Sequence, residues 1–586
     1  MIDPKKKLAG VLIPVFAMRR EGDLGIGDTL AVREAIEFCS RNHLSVLQVL
    51  PINETGGDNS PYGAISSVAL DPVLLSIEAD LVPGLEKTER EWIIDQSGLS
   101  HEDQSYVNYA LVKKLKLDLL RSAWNKFKAQ LNGDAKKSAG SSFAREIEAF
   151  NQFQEEHAAW LPFYSLFRSF IDLHGGNACW TQWPKEHQTP DAAEKWMKQS
   201  ELKEKLEDDR AFYSYVQWLA FKQWIDLRKF ADERSISLMG DIPFGVSRYS
   251  CDVWAERNLF DLQWSGGAPP EPLFQGDPFT TKWGQNWGIP LYDWKTHEKE
   301  NYRWWRQRVG RLTDIFNYFR IDHVLGFFRI YGFPWIPERN QEFVELTEEE
   351  AEELTDGLLP HFIPREDYPE KLGKLNAADG EKILKIIQEA AGKNGVVAED
   401  LGMVPPYVRP LLHKMGIPGF AIPIFERNEK DRSFKKKEEL HPLSIATYGT
   451  HDHMPLRSYY EDLCRRWHGP DGHEAWLDVQ RLMRFLGLDE KDPPTEFTDE
   501  LHKAFEQALL ETPCWLAAFM IPDILGTSEQ FNVPGVGLGN WTSRMAKTLK
   551  AYEEDDYFGP KIKGLSEMIF KEDRLSSLSP ASTIKK

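Results

Sequence analysis

Cysteine is scarce in this chain of 586 residues: Cys39, Cys179, Cys251, Cys464 and Cys514 are odd in number, widely scattered and include no C-x-x-C pair. That argues against a disulfide framework and against a cysteine-rich zinc site, and it fits a reducing, cytoplasmic compartment. Cationic excess is missing as well. With 71 Lys and Arg against 91 Asp and Glu, the formal charge of −20 gives neither a nucleic acid nor an anionic membrane surface the positive footprint it needs. A neutral ligand is favoured. No stretch reaches the roughly 18 uncharged apolar residues of a membrane-spanning helix. Lys5, Lys6 and Lys7 before the apolar run Leu8–Met18 imitate a secretory signal, but Arg19 and Arg20 stand where small cleavage-site residues belong. The run reads instead as a buried first strand. Internal repeats and low-complexity tracts are also lacking.

What is present is an ordinary globular composition, 41% hydrophobic and 28% charged, with 20 Trp, 18 Tyr and 33 Phe. So many rings suit either a large core or the stacking of sugar C–H faces. Short β-rich runs recur at Val11–Phe16, Leu44–Leu50, Ile236–Gly240, Ile315–Ile321, Gly395–Ala398, Gly419–Phe425, Leu443–Tyr448 and Cys514–Met520. Helix-forming segments separate them, which implies parallel pairing through crossover helices, and eight such strands close a (β/α)8 TIM barrel. Residues 1–80 hold the first two strands. Residues 81–232 form a mostly helical inserted subdomain, with helical spacing over Tyr106–Lys128, Ala144–Phe170 and Glu201–Phe230. Residues 233–570 complete the barrel and include a Pro-, Gly- and Trp-rich insertion at 252–294, expected as an irregular functional loop. The polar stretch 571–586 reads as a loose tail.

Catalytic groups of a parallel barrel stand at the carboxyl ends of its strands. The fourth run ends Arg320-Ile321-Asp322-His323, and alternation puts Arg320 beside Asp322, where the guanidinium favours an ionised carboxylate. A structural Arg/Asp pair is the competing reading. The fifth ends Ala398-Glu399-Asp400-Leu401-Gly402, so one acid can enter a site while its neighbour braces the loop. The seventh ends Thr450-His451-Asp452-His453; a third ligand at metal-binding spacing is lacking, so the pair suits a polyol better than a metal ion. Retaining glycoside chemistry needs two carboxyls about 5–5.5 Å apart, one ionised and one protonated, and a third acid can steady the sugar. The three strand ends supply such a set.

Taken in order, these motifs resemble glycoside hydrolase family 77, the amylomaltases or 4-α-glucanotransferases of the α-amylase clan. The resemblance runs from about Gly10 to Arg544. It rests on Gly25-Ile26-Gly27-Asp28, Gln48-Val49-Leu50-Pro51, Asn59-Ser60-Pro61-Tyr62, Gly240-Asp241-Ile242-Pro243 and Asp252-Val253-Trp254-Ala255. It continues through Gly284–Tyr292, the three strand-end motifs above, Asn532-Val533-Pro534-Gly535 and Gly539-Asn540-Trp541. The resemblance implies Asp322 as nucleophile, Glu399 as general acid/base, Asp452 as transition-state stabiliser and Arg320 orienting Asp322. It further implies Ser60, Tyr62, Asp241, Trp287, Gly288, His323 and His451 as substrate-binding residues, with Trp287 and Tyr292 on a loop roofing the acceptor side. No cofactor and no metal is implied, and no C-terminal β-domain. The expected partners are α-1,4-glucans and maltooligosaccharides, with glucose as an acceptor. His453 stands where the family usually has Asn, Asp71 replaces a usual Asn, and Leu47 sits where an aromatic is common. Two rival readings are an α-glucan hydrolase on the same barrel and a non-catalytic glucan-binding protein.

Overall fold

Eight parallel strands pair in the order β10-β11-β12-β1-β2-β3-β6-β9. They are β1 (Leu8–Leu12), β2 (Val46–Gln48), β3 (Ser237–Ile242), β6 (Tyr318–Ile321), β9 (Gly395–Ala398), β10 (Gly419–Ala421), β11 (Ser444–Ala446) and β12 (Leu516–Met520). The Ala398 amide donates to the Pro418 carbonyl at 2.9 Å, which joins the last strand to the first. In this computed structural model the described residues are 2–99, 104–132, 142–270, 277–428, 433–470, 472–534 and 539–575. Side chains of alternate strand positions, among them Leu8, Val46, Met239, Val397, Ile445 and Leu516, fill the barrel with a packed apolar core. Their neighbours face outward into the helices, so each strand is buried on both sides and reads as a continuous apolar run.

All eight expected runs hold a barrel strand, but the first begins and ends earlier than expected. Pro14 has no N–H to donate, so the ladder stops after Ile13, and Val15–Ala17 turn into a 3-10 helix. The insertion between β2 and β3 is helical. Its segment Ala144–Phe170 is two helices, Ser142–Glu156 and Leu161–Leu173, the second opening with Pro162 where a free N–H is not needed.

The insertion after β3 departs from the irregular loop expected. Residues 252–294 contain β4 (Phe260–Ala268) and β5 (Gln285–Tyr292), which join β7 (Ile330–Phe333) and β8 (His361–Ile363) in an antiparallel sheet of order β5-β4-β7-β8. Register breaks between Asp261 and Ser265, and between Gly266 and Gly267, disrupt the period of two that marks a strand in sequence. Phe279, Trp283, Phe333 and Trp335 pack a small separate core there.

Most of the tail 571–586 lies outside the described residues, but its start is not loose. Lys571 ends the helix Phe558–Lys571, and the fully buried Arg574 donates to the carbonyls of Leu8 at 3.1 Å, Leu510 at 2.6 Å and Cys514 at 3.0 Å. After β12 the described residues form helices and loops without a further sheet. No helix among them is long and apolar enough to cross a membrane.

Candidate active site

Strand register sets the first part of the site. Asp241 on β3 is paired with Arg320 on β6, and Ile321 on β6 with Ala398 on β9. Asp322 and Glu399 are the residues that follow this last pair, so both emerge together at the barrel's carboxyl end. The backbone stitches them further: the Glu399 amide donates to the Ile321 carbonyl at 2.9 Å and the Val324 amide to the Glu399 carbonyl at 3.1 Å. Both acids open into a cleft of about 1570 Å³, together with Asp452, Tyr62, Trp287 and His451.

The acids differ in how they are held. Arg320, with its side chain only 3% exposed, reaches Asp322 at 2.9 Å and Asp241 at 2.6 Å, so one guanidinium serves two carboxylates. Asp241 lies below the cleft, where burial pushes its carboxyl up against the opposing charge of Arg320. Glu399 is buried and accepts amide hydrogens from His323 and Leu401, each at 2.8 Å. Desolvation, opposed by Arg320 and reinforced by the charge of Asp322, raises its pKa to about 7. Asp452 goes the opposite way. Burial alone would raise it, but the His451 imidazole at 3.2 Å, the Asn532 amide at 2.5 Å and the charge of Arg320 together hold it well below the usual carboxylate range. Asp400 faces away from this group: it takes the Phe420 amide at 2.6 Å and Arg409 at 2.9 Å, bracing the turn that carries Glu399.

Aromatic side chains and loops complete the cleft. The Tyr62 hydroxyl donates to Asp241 at 2.7 Å, and its ring lies 5.1 Å from that of His451 at 15°. Trp541 leans on both rings, from a left-handed backbone at φ 63°. Ser60 lines the cleft two residues before Tyr62. His323, also left-handed at φ 45°, is brought down to a pKa of about 4 by burial, so it presents a neutral imidazole against the edge of Trp287, 4.7 Å away. Trp287 projects from β5 and is 38% exposed. Gly288, at φ 77°, faces Pro337 and is not among the cleft-lining residues. Tyr292 does not roof the cleft either. It is buried among Phe244, Phe260 and Trp304 with its hydroxyl on the Phe244 carbonyl at 2.6 Å, because strand alternation and a run of flanking rings draw it into the core.

Three further positions take their meaning from the structure. His453 accepts the Thr450 amide on Nδ1 at 3.0 Å, which leaves its Nε2 as the donor toward the cleft. Asp71 is a buried anchor, accepting from the Thr55 amide and hydroxyl, each at 3.0 Å, and from the Val73 amide at 2.9 Å. Asp252 ties Ser67 and the Trp304 indole together in the same way. Asn532 and Trp541 escaped a functional reading in sequence although their motifs stood out, since only folding brings them to Asp452 and Tyr62. Among the described residues no group of three or more His, Cys, Asp or Glu is placed to hold a metal ion.

A family model described as 4-alpha-glucanotransferase matches residues 13–550. A 4-alpha-glucanotransferase of Chlamydia caviae is 30% identical over 566 residues, covering 94% of this chain and 93% of its own length. That of Aquifex aeolicus is 28% identical and covers 95% and 99%. Among solved structures, amylomaltase from Streptococcus agalactiae in complex with acarbose superposes with a TM-score of 0.73 at 21% identity, covering 97% of this chain and 100% of its own. Amylomaltase from Corynebacterium glutamicum gives 0.71 at 19%, covering 96% and 75%.

Proposed function

The chain belongs to the 4-alpha-glucanotransferase family, glycoside hydrolase family 77, and from that premise we propose how its cleft moves a segment of 1,4-α-glucan to the 4-hydroxyl of an acceptor sugar. Asp322 attacks C1 of the bound donor while Glu399 gives its proton to the departing glycosidic oxygen, so the C1–O4 bond breaks as the C1–Oδ ester forms. The released chain end leaves. A second sugar then enters, Glu399 takes the proton from its 4-hydroxyl, and the new C1–O4 bond displaces Asp322. Two inversions keep the α-configuration.

The observation that carries this reading is the contrast between the two carboxyls at neighbouring strand ends. Glu399 holds a pKa of about 7 by burial, and Asp322 is gripped by Arg320 at 2.9 Å. The negative charge of Asp322 itself contributes to the raised value. Once Asp322 is esterified that contribution disappears, so the Glu399 pKa falls and the group, its proton given away, stays a carboxylate ready to act as base in the second half. Asp452, ionised and pinned by His451 and Asn532, faces the same sugar and opposes the positive charge that develops at C1. Maltooligosaccharides serve as donors, and glucose or a second maltooligosaccharide as acceptor. Tyr62, His451, His323 and Trp287 offer the ring faces and hydroxyl partners that orient them. The cytoplasm is the compartment that suits five cysteines, none of them in a disulfide.

Incubation with maltotriose tests the reading. It should give glucose and longer maltooligosaccharides with little net gain in reducing ends, whereas a steep gain would identify an α-glucan hydrolase.

A further inference from the structure

The loop that carries Ser60 and Tyr62 is not held by the barrel alone. Residues 53–70 fold back on themselves through the isolated bridges Asn53 to Leu70 and Thr55 to Ala64, and the tip between them packs over a small interior cavity lined by Asn53, Thr55, Asn59 and Asp71. Polar bonds therefore fix the tip. Lys113, on the inserted helix Tyr109–Asn132, supplies three of them: its ammonium donates to Thr55 Oγ1 at 3.2 Å, the Gly56 carbonyl at 3.1 Å and Asn59 Oδ1 at 3.2 Å. All three donors of one lysine are spent on a single loop. Asn59 is held by this contact in a left-handed conformation, φ 57°, and the chain leaves it toward Ser60 and Tyr62.

We propose that Lys113 is a positioning residue for glucan transfer, acting from the helical insertion through the 55–62 loop on Tyr62. This rests on the assignment of Tyr62 to the sugar site. Tyr62 touches both halves of the catalytic apparatus, Asp241 below Arg320 through its hydroxyl and His451 beside Asp452 through its face. A loop freed at Thr55 and Asn59 lets this ring drift, and drift of an ångström at a sugar-positioning group is enough to slow the reaction. Lys113 touches none of the reacting groups. Asp58, whose carboxylate accepts the Ser60 amide at 3.2 Å, also feels the Lys113 charge.

The test is a kinetic double-mutant cycle on the full-length enzyme with maltotriose, using Lys113→Met, Lys113→Arg, Tyr62→Ala and the double variant Lys113→Met with Tyr62→Ala. Lys113→Met should lower kcat/KM about tenfold while its melting temperature moves little, and Lys113→Arg, which keeps charge and donors, should restore most of the loss. In the Tyr62→Ala background the further loss from Lys113→Met should fall below about twofold, because the ring it places is gone. Unchanged kcat/KM in Lys113→Met beside a clear loss in Tyr62→Ala overturns the role of Lys113 and leaves the site assignment intact. A Tyr62→Ala enzyme with full transfer activity overturns that assignment and this proposal with it. Equal losses from Lys113→Met in both backgrounds, or a loss matched by a large fall in melting temperature that Lys113→Arg does not rescue, reduce Lys113 to a structural lysine and overturn the proposal.

Discussion

The two sides of the cleft are built on different principles. On one side Asp241, Arg320, Asp322 and Glu399 grow directly from adjacent barrel strands and are fixed by parallel register, with Asp241, Arg320 and Glu399 buried and Asp322 partly open to the cleft. On the other side Tyr62 and Trp287 come from inserted segments, a polar-bonded loop and a bulged antiparallel sheet, and Trp287 is more than a third exposed. The strand side places charge with little freedom, as bond-making at C1 requires. The inserted side offers ring faces at the rim, Trp287 among them partly open to solvent, which suits the sorting of water from sugar at the covalent intermediate.

That comparison can be broken by substitution. The largest effect belongs to Asp322→Asn, which should cut transfer by more than about 10³-fold while glucan binding, measured by calorimetry, persists. Loss of binding with it would put Asp322 on the sorting side. Next comes Arg320→Met. It leaves Asp241 and Asp322 without their shared cation, so transfer should fall about 10²-fold and stability by about 3–5 kcal/mol in urea unfolding, because a buried carboxylate loses its partner.

The pH profile sharpens the same side. Glu399 must be protonated to act as acid, and its raised pKa of about 7 means that the first half-reaction is at full rate below that value and declines about tenfold per pH unit above it. Rapid-quench measurement of glucose release should show this alkaline limb, and Glu399→Gln should lack it. On the inserted side Trp287→Ala should change the ratio of hydrolysis to transfer several-fold, read as reducing ends gained per glucose released, with a smaller effect on total turnover. If total turnover fell as steeply as in Asp322→Asn, the division between the two sides would be wrong.

The smallest effect concerns the helix Leu456–Trp467, which follows the Asp452 loop. Asp523 accepts the Leu456 amide at 2.8 Å, and burial raises its carboxyl to about 7. A folded-state pKa above the unfolded one contributes stability that is full below about pH 4 and lost as pH rises through 7. The stability margin of the native enzyme over Asp523→Asn should therefore shrink between about pH 4 and 7 in thermal denaturation and level off above that.

The barrel and its acids were legible in sequence for one physical reason. Doubly buried parallel strands are unbroken apolar runs, and a charge at the end of such a run is conspicuous, as Asp322 and Glu399 are. The antiparallel sheet was not legible because bulges at Asp261 to Ser265 and Gly266 to Gly267 erase the alternation that marks it, and β7 and β8 are too short to show any. Tyr292 was misplaced because a ring on a half-buried strand is equally at home on either face. Asn532 meets Asp452 across 80 residues of chain, a separation that no local pattern encodes. Many of the abundant rings proved to be core: Trp124, Trp224, Trp254, Trp305 and Trp515 are all fully buried.

Arg574 ties the first strand to the segment just before the last one, and β1 finds its second neighbour only in β12. A ribosome delivering this chain from its amino end must therefore leave one edge of the opening strand unsatisfied until almost everything else has been made. Ring closure waits for β12, and the guanidinium that locks it follows later still, beyond the helix Phe558–Lys571.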